Sequence, residues 1–399
     1  MALLTRRGRT VQPFKCGPDY IDTKFHEAVC GRPSVNLDSF MAPADHLRHL
    51  YARYGASADV CIVEGMMGLY DGYERWRGSS AEIARLLGLP VVLVVDARSA
   101  AYSLTPLLRG FAGFDAEVHI AGVIFNRVGS ARHRRMLAEV CADAGLRCYG
   151  CLPRDAALEQ PSRYLGLDFS HSAEADRLVS LLEEHVDWQG MVDELQMEQL
   201  APEPESQNPE EGRAEGVIAV ARNAEAFSFI YEEHLDRLRS RGRVVFFDPE
   251  QDEPLPADTQ LLYLPGGYPE KHLEALQRAV RARTSIREYA LRDGRILAEC
   301  GGMMYLCERI VSDEGSFEMC GALPYAVTAR QTDRRLSLGY RRFTLDGRKW
   351  RGHEFHYTQF LDPQPPSAAQ VFDARGEAVA TPVIRHRNIT ASYTHLYWI

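Results

Sequence analysis

No run of about 18 or more apolar residues occurs, the length a membrane-spanning helix requires. The N-terminus, Met1-Ala2-Leu3-Leu4-Thr5-Arg6-Arg7, lacks the long apolar segment of a secretory signal. Both absences point to the cytoplasm and away from a membrane partner. An excess of basic residues is missing too: 46 Lys+Arg stand against 55 Asp+Glu, a formal net charge of −9. A nucleic-acid surface would have to be a local patch working against that field, so nucleic acid is not an expected partner. Nine cysteines, an odd number, are scattered through apolar runs without a paired framework, as suits reduced thiols. Cys148 and Cys151 have CxxC spacing, but no second pair completes a four-ligand zinc site, so a metal or redox role there is the lesser reading. Internal repeats are absent as well.

What is present is the composition of a globular enzyme, 45% hydrophobic and 25% charged over 399 residues. That length suits two domains of somewhat under roughly 200 residues each. Residues 197–215 are rich in Pro, Glu and Ser and cannot bury enough surface to fold, so they read as a linker between domains at 1–196 and 216–399. Before it, Val60–Val63, Val91–Val95 and Ala121–Phe125 are continuous apolar runs separated by helical patterns. After it come Gly216–Val220, Val244–Phe247, Leu261–Leu264 and Ile296–Glu299. Such strands, alternating with helices, predict two α/β domains with parallel sheets. In open α/β sheets the ligand site lies beyond the carboxyl ends of the strands, so the residues that follow each strand are the candidates.

In the second half, Leu264-Pro265-Gly266-Gly267-Tyr268 follows one strand and Glu299-Cys300-Gly301-Gly302-Met303 follows another. A cysteine between a buried strand and a Gly-Gly helix start stands where a nucleophile elbow would be, with backbone N–H groups and a helix dipole favouring thiolate. Gly267 and Gly301 are the expected oxyanion-hole donors. The base has to come from elsewhere in the chain, and His395 in Ala391-Ser392-Tyr393-Thr394-His395 supplies it. Gly352-His353-Glu354-Phe355-His356-Tyr357 lacks a third ligand for zinc and reads as a structural or substrate-facing element, with a base role for His356 a minor alternative.

In the first half, Lys15-Cys16-Gly17-Pro18-Asp19-Tyr20-Ile21-Asp22 sets two carboxylates in a Gly-Pro turn, which can hold Mg²⁺ or is simply solvated. Glu64, immediately after a strand, is followed by a Gly-rich loop and Asp71, the pattern a nucleotidase needs to bind Mg²⁺ beside phosphates; a strand-ending turn is the plainer reading. Neither spacing assigns a role by itself.

Taken with Gly31-Arg32-Pro33-Ser34-Val35-Asn36-Leu37-Asp38 and Asn126-Arg127-Val128-Gly129-Ser130, these motifs resemble, in order, the cobyrinate/hydrogenobyrinate diamide synthase family, from about residue 11 to 398. The second half resembles a class I glutamine amidotransferase domain, and the first a P-loop NTPase of the dethiobiotin-synthetase kind. The resemblance implies ATP- and glutamine-dependent amidation of the a and c carboxylates of cobyrinic acid, with Mg²⁺ as cofactor. Cys300 and His395 would form the glutaminase pair. Lys15 would contact phosphate, Glu64 and Asp71 would serve Mg-ATP, Asn126 would read adenine, and Asp19, Tyr20 and Asp22 would line the corrinoid carboxylate site. The partners implied are corrinoid, glutamine and ATP, with a homodimer possible.

Two features depart from the family. The position two residues after His395, a Glu in most class I domains, is Tyr397, as in the cobyrinate branch. The family's opening strand and P-loop are missing, and no Gly-x-x-x-x-Gly-Lys-[Ser/Thr] occurs elsewhere. Loss of that strand would leave its neighbours without ladder partners. A start inside a longer reading frame is the expected explanation, with loss of ATP binding the other. Hydrogenobyrinic acid and nickel sirohydrochlorin stay open as substrates, as do a cysteine hydrolase without an ATP step and a non-catalytic binding protein.

Overall fold

The computed structural model describes residues 1–158, 172–197 and 216–399. Of the expected linker, residues 198–215 lie outside these. The chain forms two compact units, one of Met1–Ser39 with Pro43–Glu205, the other of Phe40–Ala42 with Ser206–Ile399.

The first unit alternates helix and strand: α1 Ala2–Arg6, β1 Val11–Cys16, α2 Asp22–Cys30, β2 Val35–Leu37, α3 Ala44–Gly55, β3 Val60–Glu64, α4 Ser80–Leu87, β4 Val91–Asp96, α5 Leu104–Phe114, β5 Ile120–Val128, α6 Ala131–Ala144, β6 Arg147–Pro153, α7 Ser172–His185 and α8 Trp188–Glu194. Local chemistry sets the helix ends. Ser79 and Ser130 accept the N–H of Glu82 and His133, capping α4 and α6, while Gly88 and Gly145 end them with φ of 66° and 73°. The expected parallel pairing is present, but in two pieces, β2-β1-β3 and β4-β5-β6. Among the described residues neither β3 nor β4 has a partner on its second edge, and Val94 in β4 is 68% exposed. Trp188 packs against the clusters of both pieces, beside Val60 and Ile62 in one and Val92 in the other.

The second unit is built on β7 Val217–Ala221, α9 Glu232–Arg241, β8 Arg243–Phe247, β9 Thr259–Leu264, α10 Leu273–Arg278, α11 Val280–Leu291, β10 Arg295–Glu299 and α12 Gly301–Leu306. Short strands follow: β11 Arg309–Ser312, β12 Gly315–Glu318, β13 Ala326–Thr328, β14 Ser337–Leu345, β15 Arg348–His356, β16 Gln359–Phe360, β17 Val371–Asp373, β18 Ala378–Val379, β19 Val383–His386, β20 Ile389–Ser392 and β21 His395–Tyr397. The main sheet runs β19-β20-β10-β9-β7-β8, parallel except for the β19–β20 pair. One core, with Leu262, Leu264, Ile286, Met303 and Tyr305, covers one face; another, with Ile218, Tyr263, Phe343 and Trp398, covers the other. An antiparallel sheet, β18-β17-β14-β15-β21, and a smaller mixed sheet, β12-β11-β13-β16, complete the unit. Its longest strands, β14 and β15, were not anticipated, because their arginine-rich sequences hide the period-two pattern.

Candidate active site

β9, β10 and β20 are neighbours and parallel, so the segments leaving their carboxyl ends meet at one end of the sheet. Those segments are the Pro265-Gly266-Gly267 turn, Cys300 at the head of α12, and the link to His395 at the start of β21. The Cys300 N–H donates to the Ser392 carbonyl at 2.8 Å, tying the elbow to the segment that carries the histidine. Cys300 itself has φ 44° and ψ −110°. A non-glycine residue in that region costs about 1–3 kcal/mol and persists only where its surroundings impose it.

The glycines around it are required by closeness. A Cβ on Gly266 would lie 2.1 Å from Cε1 of His395, and one on Gly301 would lie 2.7 Å from the Gly267 carbonyl oxygen and 3.0 Å from its nitrogen. The Gly266-Gly267 turn is therefore pressed against His395 on one side and the start of α12 on the other. Ser228 and Phe229 N–H groups donate to the Gly266 carbonyl at 2.9 and 3.0 Å, holding the turn in place.

Burial governs the charge state. Both Cys300 and His395 are almost wholly enclosed. Burial pushes the Cys300 thiol up, the carboxylates of Glu270, Glu354 and Glu299 add to the rise, and the Gly301 N–H opposes it. Burial also pushes the His395 imidazole down to about 3, with His353 and His356 adding to the fall. The resting pair is thus a neutral thiol and a neutral imidazole. The thiolate expected from the helix start does not prevail, since α12 is short and desolvation is the larger effect.

Two acids that the sequence reading passed over hold this arrangement. Glu299 accepts from the Leu396 N–H at 3.2 Å and from the Tyr263 hydroxyl at 2.8 Å, pinning β21 beside β10; burial lifts it to about 8. Glu354, fully buried on β15, accepts from Thr394 at 2.7 Å, Arg341 at 2.9 Å, and Thr381 and Ser337 at 3.0 Å. Burial works against its ionisation, but His356 and the Arg341 guanidinium outweigh it and hold the carboxyl at about 2. Glu354 thereby anchors the residue next to His395. The signal available was an acid at an inward position of a strand, legible only once β15 is known to be a strand. Tyr397 hydrogen-bonds to Glu233.

In the first unit, Lys15 near the end of β1 is buried, and its Nζ lies 2.6 Å from Asp22, 2.9 Å from Glu64 and 4.0 Å from Asp19. β1 and β3 place Lys15 directly opposite Glu64. His26, not foreseen, completes the group, its Nε2 2.7 Å from Glu64 and its Nδ1 2.9 Å from Ser34. Burial opposes ionisation of Glu64, but the hydrogen bond to His26 and the Lys15 charge hold it at about 2. Asp19 Oδ1 accepts the N–H groups of Ile21 and Asp22 at 2.8 and 2.9 Å, and Tyr20 is buried beside it in sequence. Asp71 instead closes its own turn, accepting from Gly68 N–H at 3.1 Å. Asn126 lies near the end of β5 and accepts from Arg127 N–H at 2.8 Å.

A CobB/CobQ-like glutamine amidotransferase domain matches residues 217–399, and an AAA domain matches residues 35–162. The hydrogenobyrinate a,c-diamide synthase of Brucella abortus is 39% identical over 98% of this chain and 92% of its own length. The cobyrinate a,c-diamide synthase of Syntrophotalea carbinolica is 39% identical over 100% and 91%. The chain belongs to the a,c-diamide synthase family. The hydrogenobyrinate a,c-diamide synthase of Mycobacterium tuberculosis is similar too, 38% identical over 99% of this chain and 89% of its own length.

In this diamide synthase the AAA-type half marks nucleotide use, and its match includes Glu64, Asp71 and Asn126 while Lys15, Asp19, Tyr20 and Asp22 precede it. Mg²⁺ does not fit the arrangement seen. One Glu64 oxygen is taken by Lys15 and the other by His26, Asp71 is engaged in its turn, and among the described residues no group of three or more His, Cys, Asp or Glu can hold a metal ion. No helix of the described residues is long and apolar enough to cross a membrane.

Proposed function

We propose that this chain uses glutamine and ATP to amidate the a and c carboxylates of cobyrinic or hydrogenobyrinic acid. The elbow at Cys300, with its left-handed φ and its glycine turn against His395, carries the reading. The sulfur attacks the carboxamide carbon of glutamine while His395 takes the thiol proton, so ionisation is coupled to attack and no resting thiolate is needed. The N–H groups of Gly267 and Gly301 receive the developing oxyanion. His395 returns the proton to the leaving ammonia, and water then hydrolyses the thioester to glutamate. Glu299 and Glu354 act on this step only by holding β21 and Thr394.

In the first unit, ATP converts each carboxylate to an acyl phosphate and ammonia displaces phosphate. Asp19, Tyr20 and Asp22 are assigned to the corrinoid carboxylate, Lys15 and Glu64 to the phosphoryl-transfer side, Asp71 to its loop and Asn126 to adenine. Lys15 supports this as a buried cation beside an acid, the pairing that positions a transferable charge. Relatives carry both cobyrinate and hydrogenobyrinate names, so both acids are assayed.

Mass spectrometry of the corrinoid after incubation with glutamine and Mg-ATP tests the reading. Two added amide groups on either acid, dependent on ATP, support it. Glutamine hydrolysis through Cys300 with both acids unchanged would rule out these substrates and direct the assay to nickel sirohydrochlorin.

A further inference from the structure

β6 carries the Cys148-x-x-Cys151 spacing, and the proposed reaction makes no use of it. In an even strand, residues three apart point to opposite faces. Here the register against β5 slips: Val123 pairs with Cys148, Ile124 with Gly150 and Phe125 with Cys151. The extra residue absorbed at this bulge brings Cys148 and Cys151 to the same face. The packing agrees, for both cysteines lie with Val123 and Phe125 in one core cluster, while Tyr149 lies with Ile124 in another.

A third thiol reaches that face from α6. Cys141, near the helix end, is buried in the same cluster, so three thiols share one patch of core. Arg134, two turns earlier on α6, adds positive charge beside Cys148 and Cys151. Cys148 is half-buried, whereas its two neighbours are enclosed.

We propose that Cys141, Cys148 and Cys151 form an oxidation site, in which a peroxide oxidises Cys148 and either Cys141 or Cys151 closes a disulfide with it. In the first step the Cys148 sulfur attacks one peroxide oxygen; an S–O bond forms, the O–O bond breaks, and the departing hydroxide takes up the thiol proton as water. In the second step the neighbouring sulfur attacks the sulfenic sulfur; an S–S bond forms, the S–O bond breaks, and hydroxide leaves with the neighbour's proton as a second water. Two thiols are oxidised by two electrons and one peroxide is reduced. The neighbouring thiols of Cys141 and then Cys151 draw the Cys148 thiol below its ordinary range, in contrast to the burial that raises Cys300.

The full chain is treated with hydrogen peroxide, blocked with N-ethylmaleimide, digested without reductant and examined by mass spectrometry. The expected result is a disulfide containing Cys148, two hydrogens lighter than the dithiol, formed at least about tenfold faster than oxidation of Cys300. Cys148→Ser abolishes it while glutamine hydrolysis and ATP-dependent amidation both stay at the wild-type rate, which also shows that both units of the variant are folded. Cys151→Ala leaves a disulfide between Cys148 and Cys141, and Cys141→Ala leaves one between Cys148 and Cys151, if both neighbours serve. The proposal is overturned if Cys148 keeps its maleimide label while other cysteines oxidise. It is equally overturned if Cys148 accumulates as sulfinic or sulfonic acid with Cys141 and Cys151 still labelled.

Discussion

In the second unit, Cys300 and His395 are enclosed and uncharged, held by backbone, by glycine turns and by two acids that never touch the reacting atoms. In the first unit, Lys15 is ion-paired with Asp22 and Glu64, His26 hydrogen-bonds to Glu64, and Glu64 keeps 46% of its side chain exposed. The difference lies in what sets the geometry. Where the chain's own turns position a reactive group, the group needs no ion pair and its charge can wait for the substrate. Where charged side chains position each other across a strand pair, removing one disturbs them all.

The largest effect expected is from Cys300→Ala. Glutamine hydrolysis falls by roughly a thousandfold or more, while amidation driven by added ammonia persists; a parallel loss of both would mean the two units do not divide the work. Gly266→Ala comes next. Its methyl would stand 2.1 Å from Cε1 of His395, and a displaced base costs on the order of a hundredfold in glutaminase kcat. Unchanged kcat would show that His395 is not the base. Glu64→Gln should lower ATP-dependent amidation by on the order of tenfold to a hundredfold, with glutamine hydrolysis untouched, as side-by-side steady-state assays would reveal.

Arg341→Met probes the supports instead of the reacting groups. It leaves Glu354 buried without its guanidinium, which costs about 3–5 kcal/mol, read as a lower urea midpoint for the second unit. The double variant Arg341→Met/Glu354→Leu should recover much of that loss in stability.

Acid and alkali sharpen the contrast with smaller changes near neutrality. His234, His353 and His395 are lowered by burial to about 3, 4 and 3 from 6.5. Their stabilising contribution is complete above pH 6.5 and is lost as pH falls toward those values, because the unfolded chain takes up the protons. Glu299, raised from 4.5 to about 8, runs the other way: its contribution is complete below pH 4.5 and is lost as pH rises toward 8. The melting temperature of the second unit should therefore peak near pH 6 to 7. A profile flat from pH 5 to 8 would mean that these groups are hydrated.

The elbow was legible because its parts are contiguous: an apolar strand, a cysteine and two glycines need no long-range knowledge. The seven strands read from apolar runs all stand in the fold, since β-branched runs bounded by polar turns are local signals. Lys15 was found, but not its neighbours' hold on it, because Glu64 and His26 come from other elements and only the β1–β3 register brings them in. β14 and β15 escaped notice because Arg341 and Glu354 are buried as a pair, so the inward positions do not look apolar. The neutrality of Cys300 was missed for a related reason. A helix start can be read from sequence, but how completely water is excluded from it cannot.

The open edges of β3 and β4 in the first unit have a consequence for how the protein would look to deuterium. In an uninterrupted α/β sheet the innermost strands exchange their amides last. Here β1 and β5, each flanked on both sides, form two separate islands of slow exchange. The amides of β3 and β4 that face no partner exchange early, so protection should fall on going from β1 to β3 and from β5 to β4.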